Sequence, residues 1–288
     1  MDVLCTTLTT SDLPFELIQE IFEISAKSSS KQAAILARVS RHVYNFVKPI
    51  LLRTFVFRDR KVAWPGQLDH EWLQSNGKYA RNLLWCLGAS SDATFLPIVL
   101  VSCRNLTNIA IWADIRYDHI RSVLESPFQL RPRRLSININ TLSRGPFQEN
   151  HARLPIFLHL THLEMASSIG GWSTIEGIQY LPKLTHLSLP VDSGDLSTLQ
   201  SVLELCKHLA VLILYSSCRE RRTGPGEVAV EVPLQPWVED IGDPRIVSLE
   251  SAYVEDWEVG SQGGRDMWTL AEEMVKRRAL ELLRSGPH

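Results

Sequence analysis

The sequence predicts an α/β chain: a helical N-terminal region, a short irregular array of strand-and-helix repeats, and a C-terminal helix that closes it. Three observations predict this. Apolar residues stand at helical spacing between Leu17 and Phe46, a leucine-spaced signal recurs from Leu83 to Leu212, and residues 265–284 carry one apolar stripe. The expected boundaries are 1–55 for the helical domain, 56–260 for the array and 261–288 for the closing helix.

Composition sets the frame. Of 288 residues 44% are hydrophobic and 22% charged, ordinary globular usage that excludes a wholly disordered chain, a collagen-like fibre and a disulfide-dense mini-protein. Lys plus Arg number 30 against 32 for Asp plus Glu, a net charge of −2, so no strong field draws the chain to nucleic acid or to an anionic membrane. The balance points to a protein partner. Leucine supplies 40 of the residues, which invites a search for repeats.

The first helix is expected after Asp12, with Pro14 in its first turn and Leu17, Ile18, Ile21 and Phe22 on one stripe. A second is expected through Ile35, Leu36, Val39, Val43 and Phe46, stopping before Pro49 because a residue preceding proline resists the helical region. An apolar helix face left exposed there would suit docking of a partner.

Beyond residue 50 the signal becomes L-x-x-L-x-L-x-x-polar. Full copies are Leu106, Ile109, Ile111 and Asp114; Leu160, Leu163, Met165 and Ser168; Leu184, Leu187, Leu189 and Asp192; and Leu209, Leu212, Leu214 and Ser217. Weaker copies hold Leu83, Trp85 and Gly88, and Leu135, Ile137 and Asn140. The second apolar positions, 83, 109, 135, 163, 187 and 212, are spaced by 26, 26, 28, 24 and 25 residues, inside the range of a leucine-rich repeat. Further copies are expected at Leu52, Phe55 and Phe57 and at Val247 and Leu249. Helical returns are expected at Phe95, Val99 and Leu100, at Ile120, Val123 and Leu124, and at Leu196, Leu199, Val202 and Leu203.

Arg219 to Pro236, with two glycines and three prolines, is expected as a long loop. In the last helix Trp268, Ala271, Met274 and Val275 form the apolar stripe, with Lys276, Arg277 and Arg278 following. It is expected to cover the open end of the array, which would otherwise expose apolar surface.

The segment Leu13, Pro14, Glu16, Leu17, Ile18, Ile21 and Phe22, then Leu36, Val39, Ser40, Arg41, Tyr44, Pro49, Leu51 and Leu52, resembles the F-box of fungal F-box families. It departs from them where Tyr44 to Phe46 stand in place of a late tryptophan, and Asn140 is the one asparagine left of the usual repeat ladder. An F-box followed by leucine-rich repeats resembles the substrate receptors of SCF-type cullin-RING ubiquitin ligases. The resemblance implies a Skp-type adaptor bound through Leu13, Pro14, Ile18, Ile21, Phe22, Leu36 and Val39, a protein substrate held by the repeats, and no catalysis by the chain itself. The alternative is a repeat scaffold without ubiquitin machinery.

Side chains between the core leucines of each strand are expected to face outward on the inner side of the array. This makes Asn108, Trp112, Arg134, Asn138, His162, Glu164, His186 and Tyr215 the candidate substrate contacts, with Trp112 and Tyr215 as anchors. His162 and His186 stand in adjacent repeats, but the next equivalent position is Val211, so no metal is expected and both are read as exposed ladder residues. No cofactor is expected. No hydrolase elbow, zincin helix or phosphate loop is present, and Glu255, Asp256 and Glu258 around Trp257 read as a solvated turn. Arg219, Arg221 and Arg222 read as a solubilising run.

Five cysteines, Cys5, Cys86, Cys103, Cys206 and Cys218, form no C-x-x-C pair, which fits reduced thiols in cytosol or nucleus, with Cys206 as a small buried hydrophobe. The opening residues lack a signal-peptide pattern, and the longest apolar runs fall well below the roughly 20 residues that span a bilayer.

Overall fold

The computed structural model describes residues 13–58, 70–87, 95–113, 115, 120, 121, 123, 125, 130–137, 147–166, 177–191, 196–217, 229–251 and 254–285. Two compact units meet at the Thr54–Phe55 junction in the chain. Asn138, Asn140, the Arg219 to Arg222 run, Cys5 and Cys218 lie outside the described residues.

The first unit holds α1 (Phe15–Lys27), α2 (Ser30–Leu36) and α3 (Arg41–Leu51). Pro14 precedes α1, and its carbonyl accepts from the N–H groups of Leu17 and Ile18. Two helices form where one was expected. The Ser29 hydroxyl accepts from Gln32 N–H at 3.1 Å and the Ser40 hydroxyl from Val43 N–H at 3.2 Å, so each serine starts a helix of its own. Pro49 sits inside α3 rather than beyond its end. It falls in the last turn, where it removes one N–H bond to the carbonyl four residues back, a cost offset as α3 buries Val43 and Val47 against Ala26 and Ala33.

The second unit is built on nine strands among the described residues: β1 (Thr54–Phe57), β2 (Asn82–Trp85), β3 (Asn108–Ile111), β4 (Arg134–Ile137), β5 (His162–Met165), β6 (His186–Pro190), β7 (Val211–Ser217), β8 (Ala229–Glu231) and β9 (Ile246–Ser251). Their order in the sheet is β1-β2-β3-β4-β5-β6-β7-β9-β8. From β2 to β7, and on to β9, neighbours run parallel; β8 is antiparallel to β9. Between and after the strands come α4 (His70–Asn76), α5 (Phe95–Ser102), α6 (Glu149–Ala152), α7 (Leu196–Leu205), α8 (Pro236–Glu239), α9 (Val254–Ser261) and α10 (Met267–Ser285). The protein is therefore mixed α/β with a mostly parallel sheet, and none of its described helices is long and apolar enough to cross a membrane.

Leu83, Ile109, Leu135, Leu163, Leu187 and Leu212 are register partners from strand to strand and no more than 2% exposed. A parallel ladder keeps side-chain parity, so one apolar row forms along one face of the sheet. Leu96, Val99 and Leu100 of α5 and Leu199, Val202 and Leu203 of α7 are buried as the helical spacing predicts. Cys103 and Cys206 close these two helices in matching turns, each carbonyl accepting from the N–H three residues on. Both are buried, and burial pushes the Cys206 thiol up to about 11.

Two expectations about the end of the sheet need correction. In β9 the partners of Leu212 and Leu214 are Ile246 and Ser248, so Val247 and Leu249 face the opposite side, beside Ile213 and Tyr215. The run V-S-L alternates either way, and pairing with β7 selects the register. Within the expected loop, Ala229–Glu231 forms β8, which pairs with β9 at the edge of the sheet.

The C-terminal helices also differ from expectation. The stripe of the last one packs on β7 and β9 near the end of the sheet, as expected, but it does so across their inner face, and both helices belong to the second unit. Trp257 of α9 packs with Leu84 and Ala110. Trp268, Ala271 and Met274 of α10, with Val275 beside them, pack on Val211, Ile213, Tyr215, Val247 and Leu249. The cause is the composition of β7 and β9, whose inner face carries Val211, Ile213, Tyr215, Val247 and Leu249, an apolar surface whose exposure to water is relieved by the α10 stripe. Gly263, at φ 84°, makes the turn between the two helices, a conformation that a side chain resists.

Candidate functional site

Residues of the first unit fall into two sets. Phe22 and Leu36 pack into the small core around Ala26, Ala33, Val43 and Val47. Leu13 and Ile18 are half-buried, and Pro14, Ile21 and Val39 are exposed. The apolar face of α1 is therefore divided, with Phe22 and Ala26 turned inward and Leu17, Ile21 and Ile24, at spacings of four and three, turned outward at 45, 55 and 61% exposure. Phe15, Ile35 and Tyr44 are also exposed and extend the set that sequence reasoning assembled. The stripe Leu17, Ile18, Ile21, Phe22 could not be split from sequence, because an apolar stripe wider than the core it serves does not say which edge is buried.

The inner face of the sheet is covered where it was expected to be open. Tyr215 is 1% exposed, and its hydroxyl donates to the Met165 carbonyl. Glu164 and His186 are buried, and Asn108, Trp112, Arg134 and His162 are half-buried. These side chains do face away from the core leucines, but α9 and α10 lie on them. Asp256, read as part of a solvated turn, is buried together with Trp257, since α9 faces the sheet with both. Glu255 of the same turn is exposed.

What this cover encloses is polar toward β4 and β5 and apolar toward β7. Arg134 Nη1 donates to Asp266 Oδ2 at 2.6 Å, and Asp266 Oδ1 accepts from both the N–H and the hydroxyl of Thr269, at 2.9 and 2.8 Å. Asp256 Oδ1 accepts from Met267 N–H at 2.9 Å. Two acidic side chains thus hold the first turn of α10, Asp266 as its cap and Asp256 as a further acceptor for a free donor there. The Trp112 indole N–H donates to Ser136 Oγ at 2.6 Å, and that hydroxyl bonds the Glu164 carboxyl. Burial, with Asp266 nearby, pushes Glu164 up to about 7. Burial, then Asp266 and Glu164, pushes Asp256 up to about 8. Asn82 Nδ2 donates to the Ser261 carbonyl at 3.0 Å and ties the end of α9 to β2.

Beside this cluster stands a pair of histidines. The His162 and His186 rings stack with centroids 4.0 Å apart and planes 7° from parallel, as register partners in adjacent strands. Each is preceded by a threonine whose Oγ1 lies 2.8 Å from the ring Nδ1. The third group is Glu272 of α10, whose Oε1 is 3.3 Å from His186 Nε2 without hydrogen-bond alignment. Ligand atoms of His162, His186 and Glu272 all lie within 4.8 Å of one another. The strand register alone offers Val211 as the next position; the third group, the acid Glu272, arrives from α10, 86 residues beyond His186 in the chain. No protein-family model matches the chain, and no curated protein matches its sequence.

Proposed function

We propose that the chain is a non-catalytic substrate receptor of an SCF-type cullin-RING ubiquitin ligase, its helical first unit docking on a Skp-type adaptor and its repeats, read as a leucine-rich-repeat solenoid, holding a protein substrate. One observation carries the reading. Leu17, Ile21 and Ile24 form an outward apolar stripe on a three-helix unit whose own buried core is Ala26, Ala33, Val43 and Val47. A unit that leaves three large aliphatic side chains outside its own core is suited to a partner that takes this face out of water. The F-box resemblance of the same residues supplies the kind of partner. Because α9 and α10 cover the inner face, the reading places substrate on the helical side, where Val101 of α5 and Leu205 of α7 are exposed. The receptor would act by raising the effective concentration of substrate lysines at the conjugating enzyme.

The test is co-purification of a Skp-type adaptor and cullin with the full chain and with an Ile21→Asp, Ile24→Asp variant shown by circular dichroism to be folded. The expected result is adaptor and cullin with the parent chain and loss of both with the variant. Equal recovery with the variant would overturn the reading. A scaffold that works without ubiquitin machinery would use the same stripe yet recover neither protein.

A further inference from the structure

We propose that His162, His186 and Glu272 form a binding site for a divalent transition-metal ion of the zinc class, with both histidines coordinating through Nε2. Two hydroxyl protons fix the roles of the histidine neighbours. Thr161 Oγ1 donates to the Arg133 carbonyl at 3.0 Å, and Thr185 Oγ1 donates to the Thr161 carbonyl at 3.2 Å. A hydroxyl has one proton, so each threonine oxygen meets its histidine Nδ1 as an acceptor, and Nδ1 carries the ring proton. These bonds favour the Nδ1–H tautomer in both rings, which leaves each Nε2 a lone pair.

Among the described residues no donor reaches those lone pairs: His162 Nε2 and His186 Nε2 are buried and make no hydrogen bond within that set. The nearest polar atom identified is another acceptor, Glu272 Oε1, 3.3 Å from His186 Nε2. Two imidazole lone pairs and a carboxylate converge without a donor among them, an arrangement that is costly unless a cation completes it. A proton on His186 would serve one nitrogen and leave the other orphaned, whereas a metal ion serves all three.

The donor set selects the class of ion. Two imidazoles and one carboxylate suit zinc and its borderline neighbours better than calcium or magnesium, which take oxygen. Three protein ligands leave a fourth position for water. Bonds of about 2.0 Å place tetrahedral ligands about 3.3 Å apart, so the present separations, at most 4.8 Å, must contract on binding. Glu272 is 38% exposed and gives the ion a path from solvent. Its other oxygen lies 3.4 Å from the Lys276 ammonium, an exposed pair that an ion displaces readily. The two Nδ1–H···Oγ bonds supply the outer support that orients metal-binding histidines. Coordination would join β5 and β6 to α10, so metal would clamp the cover onto the sheet.

The experiment uses the full chain, treated with a chelator and titrated with Zn²⁺ by calorimetry, with Co²⁺ absorption as a second readout of four-coordination. One equivalent is expected to bind and to raise the melting temperature. Glu272→Gln, at a half-exposed position that leaves the fold intact, is expected to weaken binding at least ten-fold, and Thr185→Val about 10- to 100-fold through loss of ring orientation. All cysteines remain in these variants, so thiol binding would be unaffected. A folded protein that takes up no Zn²⁺, or one whose affinity is unchanged by Glu272→Gln and by His186→Gln, would overturn the proposal.

Discussion

Trp268 stands edge-on to His162, the ring centroids 5.1 Å apart and the planes at 89°, and it meets His186 in the same way at 6.0 Å and 85°. The indole closes the top of the histidine pair while the rest of its ring joins the apolar cluster on β7 and β9. One side chain therefore fastens α10 to both the polar and the apolar parts of the inner face. Trp268→Ala is expected to cost about 3–5 kcal/mol, the usual loss for a buried aromatic, read from urea unfolding of the chain. A loss below about 1 kcal/mol would show that α10 is held elsewhere.

Asp256 sets a pH dependence. The acidic and basic groups around it are Asp266 at the head of α10, Glu164 on β5 and Arg134 on β4. Its folded value, about 8, lies above the ordinary carboxylate value near 3.8, so the folded state holds a proton that the unfolded chain releases. Stability must then fall as pH rises between about 4 and 8, with a slope of up to roughly 1.4 kcal/mol per pH unit from this group. Asp256→Asn, which keeps the acceptor for Met267 N–H, is expected to flatten that slope in chemical denaturation at pH 5, 6, 7 and 8. An unchanged slope would assign the titration to another group.

Gly260 is a test of close approach. Alanine there gains about 1 kcal/mol of helix propensity in α9, but its Cβ would lie 2.4 Å from Asp266 Oδ2 and 2.8 Å from Asp266 Cβ. Asp266 is held by Arg134 and Thr269 and has nowhere to move. The clash outweighs the propensity, and Gly260→Ala is expected to destabilise by about 1–3 kcal/mol. Stabilisation, measured by thermal unfolding, would mean that α9 and α10 are free to separate.

Among the described residues Arg134 is the one cation bonded to the buried Asp266 carboxylate. Arg134→Met keeps the stem and removes the charge, leaving Asp266 to face Glu164 and Asp256 without it. Breaking a fully buried pair costs about 3–5 kcal/mol, and the one-third exposure of Arg134 lowers the expectation to about 1–3 kcal/mol. A double variant with Asp266→Asn should recover part of the loss, because the stranded charge is then gone; no recovery would argue that the pair acts only through the α10 cap.

The parallel register was legible in the sequence almost residue by residue. The six marked positions from Leu83 to Leu212 are direct partners across the sheet. Spacing carries that information because each strand must return to the same row of a ladder. Departures occur where a local rule met a tertiary one: Ser40 capped a new helix, Pro49 stayed inside α3 because Val43 and Val47 are buried, and β9 took its phase from β7.

The candidate site was legible in part. Alternation correctly placed Arg134, His162, Glu164, His186 and Tyr215 on one face of the sheet. The stripe Trp268, Ala271, Met274 was equally plain, yet an apolar stripe states that a surface will be buried and not which surface buries it. Contact with Val211, Ile213, Tyr215, Val247 and Leu249 decided that, and with it the burial of Asp256 and the meeting of Glu272 with two histidines. Periodicity is local and survives in one dimension. Burial, pKa and the convergence of ligands depend on which distant segments share a volume, and for this chain that was settled when α10 folded back across the sheet.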